Sequence, residues 1–276
     1  MKHIEECIEK NRKEEVMGLP IGMKYLNEQM GGLYPGEMTV ICGDANDGKT
    51  ALMIRMIHRL AIEEEIPVLI ILNGMSERTL LACMTAFYCS IITKDIYEVF
   101  THPTSKNDVE AYWNLLEKKP LYLAHSIEFV ENGMESLKQF VSDKGIKAVF
   151  VEQISWEDNF GWKISELISL KMLADDLQIA VVAEHQIWWT EDNSLTLDCF
   201  GNKDLAALAD NVIGLIDCAN HGVYVDEKGE DIRGIIRLKI MKHKGVVTEG
   251  QNVIFRKKQL FCRDKKRATL YEAKER

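Results

Sequence analysis

Short apolar runs recur along the chain, and stretches with helical spacing separate them. The runs are Met38–Cys42, Val68–Leu72, Leu121–Ala124, Ala148–Val151, Ala180–Ala183 and Val212–Ile216. Helical patterns fall over Lys49–Glu65, from the N-cap Ser76 to Cys89, and over Val109–Lys118, Met134–Lys144 and Trp162–Leu177. Strands that are apolar on both faces cannot leave either face in water. Alternated with helices, they predict a mostly parallel, twisted sheet with helices on both faces. After Ile216 the pattern changes: Val223–Phe261 reads as antiparallel hairpins, with turn signals at Glu227-Lys-Gly229 and Gly245.

Composition narrows the class further. With 276 residues, 46% hydrophobic and 28% charged, the chain can bury a large core and is no disordered tail. No apolar run approaches the roughly 18–20 residues of a membrane helix. The opening stretch, MKHIEECIEKNRKEE, is charged throughout, unlike a secretory signal, so a cytoplasmic protein is expected. A net charge of −9 excludes a general electrostatic coat for nucleic acid and leaves room for a local basic patch. The seven cysteines form no CxxC pair or zinc spacing, which suits free thiols in a reducing compartment. Residues 4–16 read as a helix with a thin apolar stripe of Ile4, Cys7 and Ile8. Such a stripe cannot build a core of its own, so docking on a neighbouring subunit is expected.

One segment carries the chemistry. Gly43-Asp-Ala-Asn-Asp-Gly48-Lys49-Thr50 matches GxxxxGK[ST] at every position, between an apolar strand and a helix. Glycines let backbone N–H groups turn onto phosphate oxygens, and the helix N-terminus favours the anion. The candidate nucleotide-binding residues are therefore Gly43, Asp44, Ala45, Asn46, Asp47, Gly48, Lys49, Thr50 and Ala51. Lys49 is expected to reach the β- and γ-phosphates of ATP, and Thr50 to hold Mg²⁺. Such a site also needs an acid at a neighbouring strand end. Lys147-Ala-Val-Phe-Val-Glu152 supplies one, making Glu152 the expected metal acid. Gln186 follows the Ala180–Ala183 strand and is placed to sense the γ-phosphate, or else it caps that strand.

The ordered set of motifs resembles the RecA-like ATPase domain of DnaB-family replicative helicases. Gly18-Leu-Pro-Ile-Gly22, Leu26-Asn27, Gly31-Gly32-Leu33 and Gly36 resemble the segment preceding that family's P-loop. Val68–Ser76 resembles the strand bearing its catalytic glutamate, Lys147–Gln153 its Walker B strand, and Ala209–Leu215 its late strand. Lys242-His-Lys244-Gly245 resembles the basic hairpin that reaches a neighbouring subunit's ATP. The resemblance runs from about Val16 to Arg263. It implies a RecA-like P-loop fold over residues 17–265, between the N-terminal helix and a charged tail at 266–276. It also implies ATP and Mg²⁺ as cofactors, a ring of subunits (six in this family), single-stranded DNA as track, and a loader or primase as partner.

Three positions depart from the family pattern. Glu152 stands where an aspartate is usual, one methylene longer. Gly74 stands where the family has its water-orienting glutamate. Lys244 stands where it has an arginine finger, and lysine lacks the bidentate fork. These changes leave the phosphate cradle whole and predict slow hydrolysis. Glu77, one helical turn past Gly74, is a candidate replacement acid, or a first-turn acid serving the helix dipole. Glu184 shares a strand face with Gln186 by period-two alternation, either as a second candidate or as a paired buried acid. The catalytic set implied is thus Lys49, Glu152, Gln186, Glu77, and Lys242 with Lys244 in trans.

The loops matching the family's DNA-holding channel are Trp156–Lys163 and Trp188–Lys203. Their aromatics suit either base stacking or packing, and their acids oppose a phosphate backbone. Lys163 and Lys203 are the candidate phosphate contacts. Two other functions remain compatible with these residues: a RecA-like switch that binds ATP and hydrolyses it poorly, and a recombination-accessory ATPase.

Overall fold

The structure, a computed structural model, describes residues 17–91, 96–100, 106–154, 164–187, 196–197, 203–226, 228–248 and 253–256. The expected helix at residues 4–16, both aromatic-rich loops apart from Thr196, Leu197 and Lys203, and the charged tail lie outside them.

After a short helix, α1 (Lys24–Met30), the chain alternates strands and helices. They run β1 (Met38–Gly43), α2 (Lys49–Ile57), β2 (Val68–Leu72), α3 (Glu77–Cys89), α4 (Lys106–Leu116), β3 (Leu121–His125), α5 (Ser126–Asp143) and β4 (Ala148–Val151). Then come α6 (Ile164–Leu177), β5 (Ala180–Gln186), α7 (Lys203–Leu208), β6 (Asn211–Ile216), β7 (Ile235–His243), β8 (Val246–Val247) and β9 (Val253–Arg256). Among the described residues these strands form one sheet in the order β3-β2-β4-β5-β1-β6-β7-β8, with β9 also paired to β7. Every pairing from β3 to β6 is parallel, and β7 turns the sheet antiparallel.

Successive residues of each central strand face opposite sides. Ile41, Ile70, Phe150, Val182 and Ile213 join the core that α2 and α3 complete with Leu52, Met56 and Leu80. Val40, Leu69, Val149, Val181 and Val212 join the core that α5 and α6 complete with Leu137, Leu170 and Leu173. Each side chain of this size contributes about 1.5–3 kcal/mol when fully buried, so the sheet centre is the stable frame for whatever its ends carry.

Three departures from the sequence reading have local causes. The helix expected over Lys49–Glu65 winds as an α-helix to Ile57 and then as a π-helix over His58–Glu63. It ends where Glu65 turns left-handed (φ 56°) and Ile66 N–H donates to Leu60 O at 2.9 Å. The helix expected to start at Met134 is the second half of α5, broken at Gly133 (φ 75°, ψ 169°). The strand expected to end at Ala183 continues to Gln186, because β1 pairs with it through Ile41–Glu184, Cys42–His185 and Gly43–Gln186. Before β1, the chain crosses itself at a Leu19–Leu33 bridge. A Cβ on Gly32 would lie 2.6 Å from the Gly18 carbonyl carbon, so the crossing needs glycine.

Candidate nucleotide site

The phosphate-loop motif spans the turn from β1 into α2. Asn46 (φ 64°) and Gly48 (φ 98°) supply the left-handed positions of that turn. A Cβ on Gly43 would meet Leu215 O at 2.8 Å, so the loop starts against the backbone of β6. The loop is braced by its own acid. Asp47 is fully buried; its Oδ2 accepts from Asp44 N–H at 3.0 Å. Its Oδ1 accepts from Asp217 N–H at 3.1 Å and lies 3.1 Å from His221 Nε2. A residue expected only to line the cradle thus fastens it to the end of β6.

Lys49 turns inward and donates to Gly43 O at 3.0 Å and Asp44 O at 2.8 Å. Burial draws its ammonium below the usual lysine range, against the opposing charges of Glu184, Asp47 and Asp44. Gln186 reaches the same loop, its Nε2 donating to Asp44 Oδ1 at 3.3 Å. Ala45 and Asn46 remain exposed at the loop tip.

Two glutamates stand beside this loop, and they do different things. Glu152, just past β4, is buried, and its Oε2 accepts three consecutive backbone N–H groups at the end of β2. They are Asn73 at 3.1 Å, Gly74 at 2.9 Å and Met75 at 3.1 Å. Asn73 holds that turn in place, with Nδ2 on Gln153 O at 2.9 Å and Oδ1 accepting from Ser126 Oγ at 2.7 Å. Glu184 is the acid that meets Thr50: the Thr50 hydroxyl donates to its Oε2 at 2.9 Å. Its other oxygen, Oε1, is buried with no hydrogen-bond partner among the described residues. Burial pushes this carboxyl up to about 7, with Glu152's charge adding to the rise and Thr50 and Lys49 opposing it.

The structure therefore brings Lys49, Thr50, Gln186, Glu152 and Glu184 together at the carboxyl ends of β1, β4 and β5, where open α/β sheets bind ligands. Glu152 is present but is not the carboxylate bonded to Thr50. Gly74 has no positive φ, and an added Cβ would meet only Glu152 Oε2, at 3.9 Å. Its backbone thus accepts a Cβ without strain. Glu77 does not join the site: it is exposed in the first turn of α3, with His125 Nε2 3.0 Å from its Oε1.

Lys242 also departs from expectation. It is buried, and its Nζ donates to Ala206 O at 2.9 Å, Ala207 O at 3.1 Å and Ala209 O at 2.6 Å. It caps the C-terminus of α7, with its donors committed within its own chain. Lys244, at the turn between β7 and β8, is exposed, and its Nζ lies 4.2 Å over the Tyr34 ring. Lys203 opens α7, and Lys163 lies outside the described residues. The Thr50–Glu184 contact was signalled in the sequence only by the alternation that puts Glu184 on the face of Gln186. The distant partners of Asp47, Asp217 and His221, had no sequence signal.

These residues fit a nucleotide and a divalent cation. Lys49 is a lysine folded onto its own loop's carbonyls, and among the described residues Glu184 Oε1 is a buried acceptor without a donor. Among the described residues no cluster of three or more His, Cys, Asp or Glu suits a metal ion. A cation here would rely on one or two carboxylates together with phosphate oxygens, as Mg²⁺ commonly does.

Comparison with known proteins identifies the family and the fold. Residues 18–193 match the family described as the DnaB-like helicase C terminal domain. The replicative DNA helicase DnaB of Leifsonia xyli subsp. xyli (strain CTCB07) is 22% identical over 189 residues, covering 64% of this chain and 41% of that protein. The chain thus spans about two fifths of that relative's length. Among solved structures, a DnaB-like replicative helicase studied with its interactions with primase superposes with a TM-score of 0.67. It is 15% identical, over 92% of this chain and 64% of that one. A second solved structure, an isolated ATPase domain, superposes with a TM-score of 0.69 at 17% identity, over 92% of this chain and 94% of that one. Both share the RecA-like fold. No helix among the described residues is long and apolar enough to cross a membrane.

Proposed function

Because the chain belongs to the DnaB-like helicase C-terminal domain family, we propose that it is an ATP-driven motor that works as a ring, hexameric in form, translocating on single-stranded DNA in replication. The observation that carries this reading is the braced phosphate loop, whose lysine, hydroxyl and facing acids converge at one end of the sheet. Gly43 to Ala51 cradle the phosphates of ATP, and Lys49 exchanges its loop carbonyls for phosphate oxygens. Thr50 and a neighbouring glutamate would hold Mg²⁺, whose charge would offset that of the phosphates. Gln186, tied to Asp44, registers the γ-phosphate through the loop.

Lys244 serves the ATP of the adjacent subunit. Within one chain it lies near Asn211, to which its N–H donates at 3.0 Å, and Asn211 pairs with Thr39 near the start of β1. Lys49 lies past the other end of β1, roughly 13 Å of strand away, so Lys244 does not serve its own chain's nucleotide. Lys163 and Lys203 contact the DNA backbone, and a loader or primase completes the machine. Cytoplasmic location follows from the same reading.

The test is ATP turnover with and without single-stranded DNA, alongside strand unwinding. DNA-stimulated turnover with unwinding is the expected result. A second reading, an ATP-binding regulatory, loading or recombination-accessory subunit with weak hydrolysis, is favoured by the missing carboxylate side chain at Gly74 and the unforked Lys244. Tight ATP binding with turnover indifferent to DNA would select it. A chain that binds no nucleotide would overturn both readings.

A further inference from the structure

The two buried glutamates beside the phosphate loop are not equivalent. Glu152 spends Oε2 on three N–H groups at the end of β2, one of them that of Gly74. Glu184 holds the Thr50 hydroxyl at 2.9 Å and keeps a buried oxygen without a partner among the described residues. A P-loop hydroxyl that holds Mg²⁺ works beside the acid of the same metal, and here that neighbour is Glu184. The extra methylene of glutamate at 152 lets its carboxylate reach the turn where Gly74 offers only backbone.

We propose that the two acids have divided the work: Glu184 is the metal-side carboxylate, positioning Thr50 and Mg²⁺, and Glu152 is the water-side acid, standing in for the side chain absent at Gly74. This assignment rests on the ATPase reading above. In the step it describes, a water oxygen bonds to the γ-phosphorus. The bond from that phosphorus to the β–γ bridging oxygen breaks, and its electron pair leaves with ADP. Glu152 takes the proton that the water loses and passes it to solvent after phosphate departs. No oxidant or further reactant enters the balance.

Calorimetry on the full chain tests the assignment, with ADP titrated in Mg²⁺ and again in EDTA, for the unaltered protein, Glu184→Gln and Glu152→Gln. The ratio of the two affinities is the metal preference. Glu184→Gln is expected to lower that ratio about 10–100-fold, as loss of a metal-supporting group does. Manganese bound with ADP, followed by electron paramagnetic resonance, should show a changed spectrum in Glu184→Gln and not in Glu152→Gln. Glu152→Gln is expected to keep the ratio within about twofold yet slow a single turnover of bound Mg·ATP about 100-fold or more. Circular dichroism establishes that each variant is folded, and Glu184→Asp, which keeps the charge on a shorter stem, should restore part of the ratio if Glu184→Gln unfolds. A metal preference lost in Glu152→Gln, or retained in Glu184→Gln, overturns the division. If the unaltered chain binds no ADP under either condition, the nucleotide reading itself fails, which is a different result from a misassigned pair.

Discussion

The buried carboxylate of Asp47 accepts the backbone N–H of Asp217 at 3.1 Å, joining the phosphate loop to the end of β6 across 170 residues of sequence. The loop's shape is therefore set by a buried acid bonded to the end of β6. Replacing Asp47 with alanine leaves the Asp217 N–H and the buried end of the Asp44 turn unsatisfied. The expected cost is about 1–3 kcal/mol in stability, read as a lower urea midpoint, together with weaker nucleotide binding. Unchanged stability would show that the brace is ornamental.

Lys49→Ala should leave the fold intact, because among the described residues the lysine's bonds go only to carbonyls of its own loop. ATP affinity should fall by about 2–4 kcal/mol, roughly 30- to 1,000-fold. Fluorescent-nucleotide titration checks this, and undiminished affinity would displace the site.

Gly74 accepts a Cβ without strain, so a carboxylate can be added there. In the unaltered protein it would crowd the Glu152 carboxylate and is expected to bring little gain. In a Glu152→Gln background the Gly74→Glu change should restore turnover at least about tenfold, since it returns an acid to the same turn. Steady-state phosphate release measures both cases.

Lys244→Arg should raise turnover of the assembled ring, where a forked cation can contact more than one phosphate oxygen. The gain should vanish on dilution to monomers, because within one chain Lys244 lies at the wrong end of β1. A gain that persists in monomers would place it at its own chain's nucleotide.

The Glu184 carboxyl titrates near 7 in the folded protein, above its ordinary 4.5. Between those values the folded state holds a proton that the unfolded state has released, so stability must fall as pH rises from about 4.5 through 7. The full penalty, about 2–4 kcal/mol, is present only above pH 7. Without metal or nucleotide, Glu184→Gln should remove this slope and be the more stable protein at pH 8. Parallel urea curves at pH 5 and pH 8 would show it.

Much of this was legible in the sequence, for physical reasons. The central strands are apolar on both faces, so Val68–Leu72 and Ala148–Val151 could be read to the residue. Ser76 announced its helix, and its hydroxyl does accept Thr79 N–H at 3.1 Å. The strand, turn and helix around Gly43–Thr50 are local by nature and legible as such. Long-range polar choices were not legible. Nothing local says that Lys242 will cap α7 instead of reaching outward, or that Glu152 will prefer the turn at Gly74 to Thr50. Polar residues 184–186 broke the apolar run at the point where pairing with β1 carried the strand on.

Asn211 has a role that reaches past its own strand. Its side-chain oxygen accepts Lys244 N–H at 3.0 Å and faces His243 Nδ1 at 2.9 Å, while its amide nitrogen donates to Glu37 Oε2 at 2.8 Å. The neighbouring Asp210 takes Met38 N–H at 2.7 Å and, through its carbonyl, Gly245 N–H at 2.8 Å. The hairpin tip and the foot of β1 are thereby clamped as one piece. Displacing the Lys244 turn would break these bonds or carry the start of β1 with it. On the ring reading proposed above, a neighbour engaged through Lys244 would meet a turn tied to the strand that leads into this chain's own Gly43–Thr50 turn.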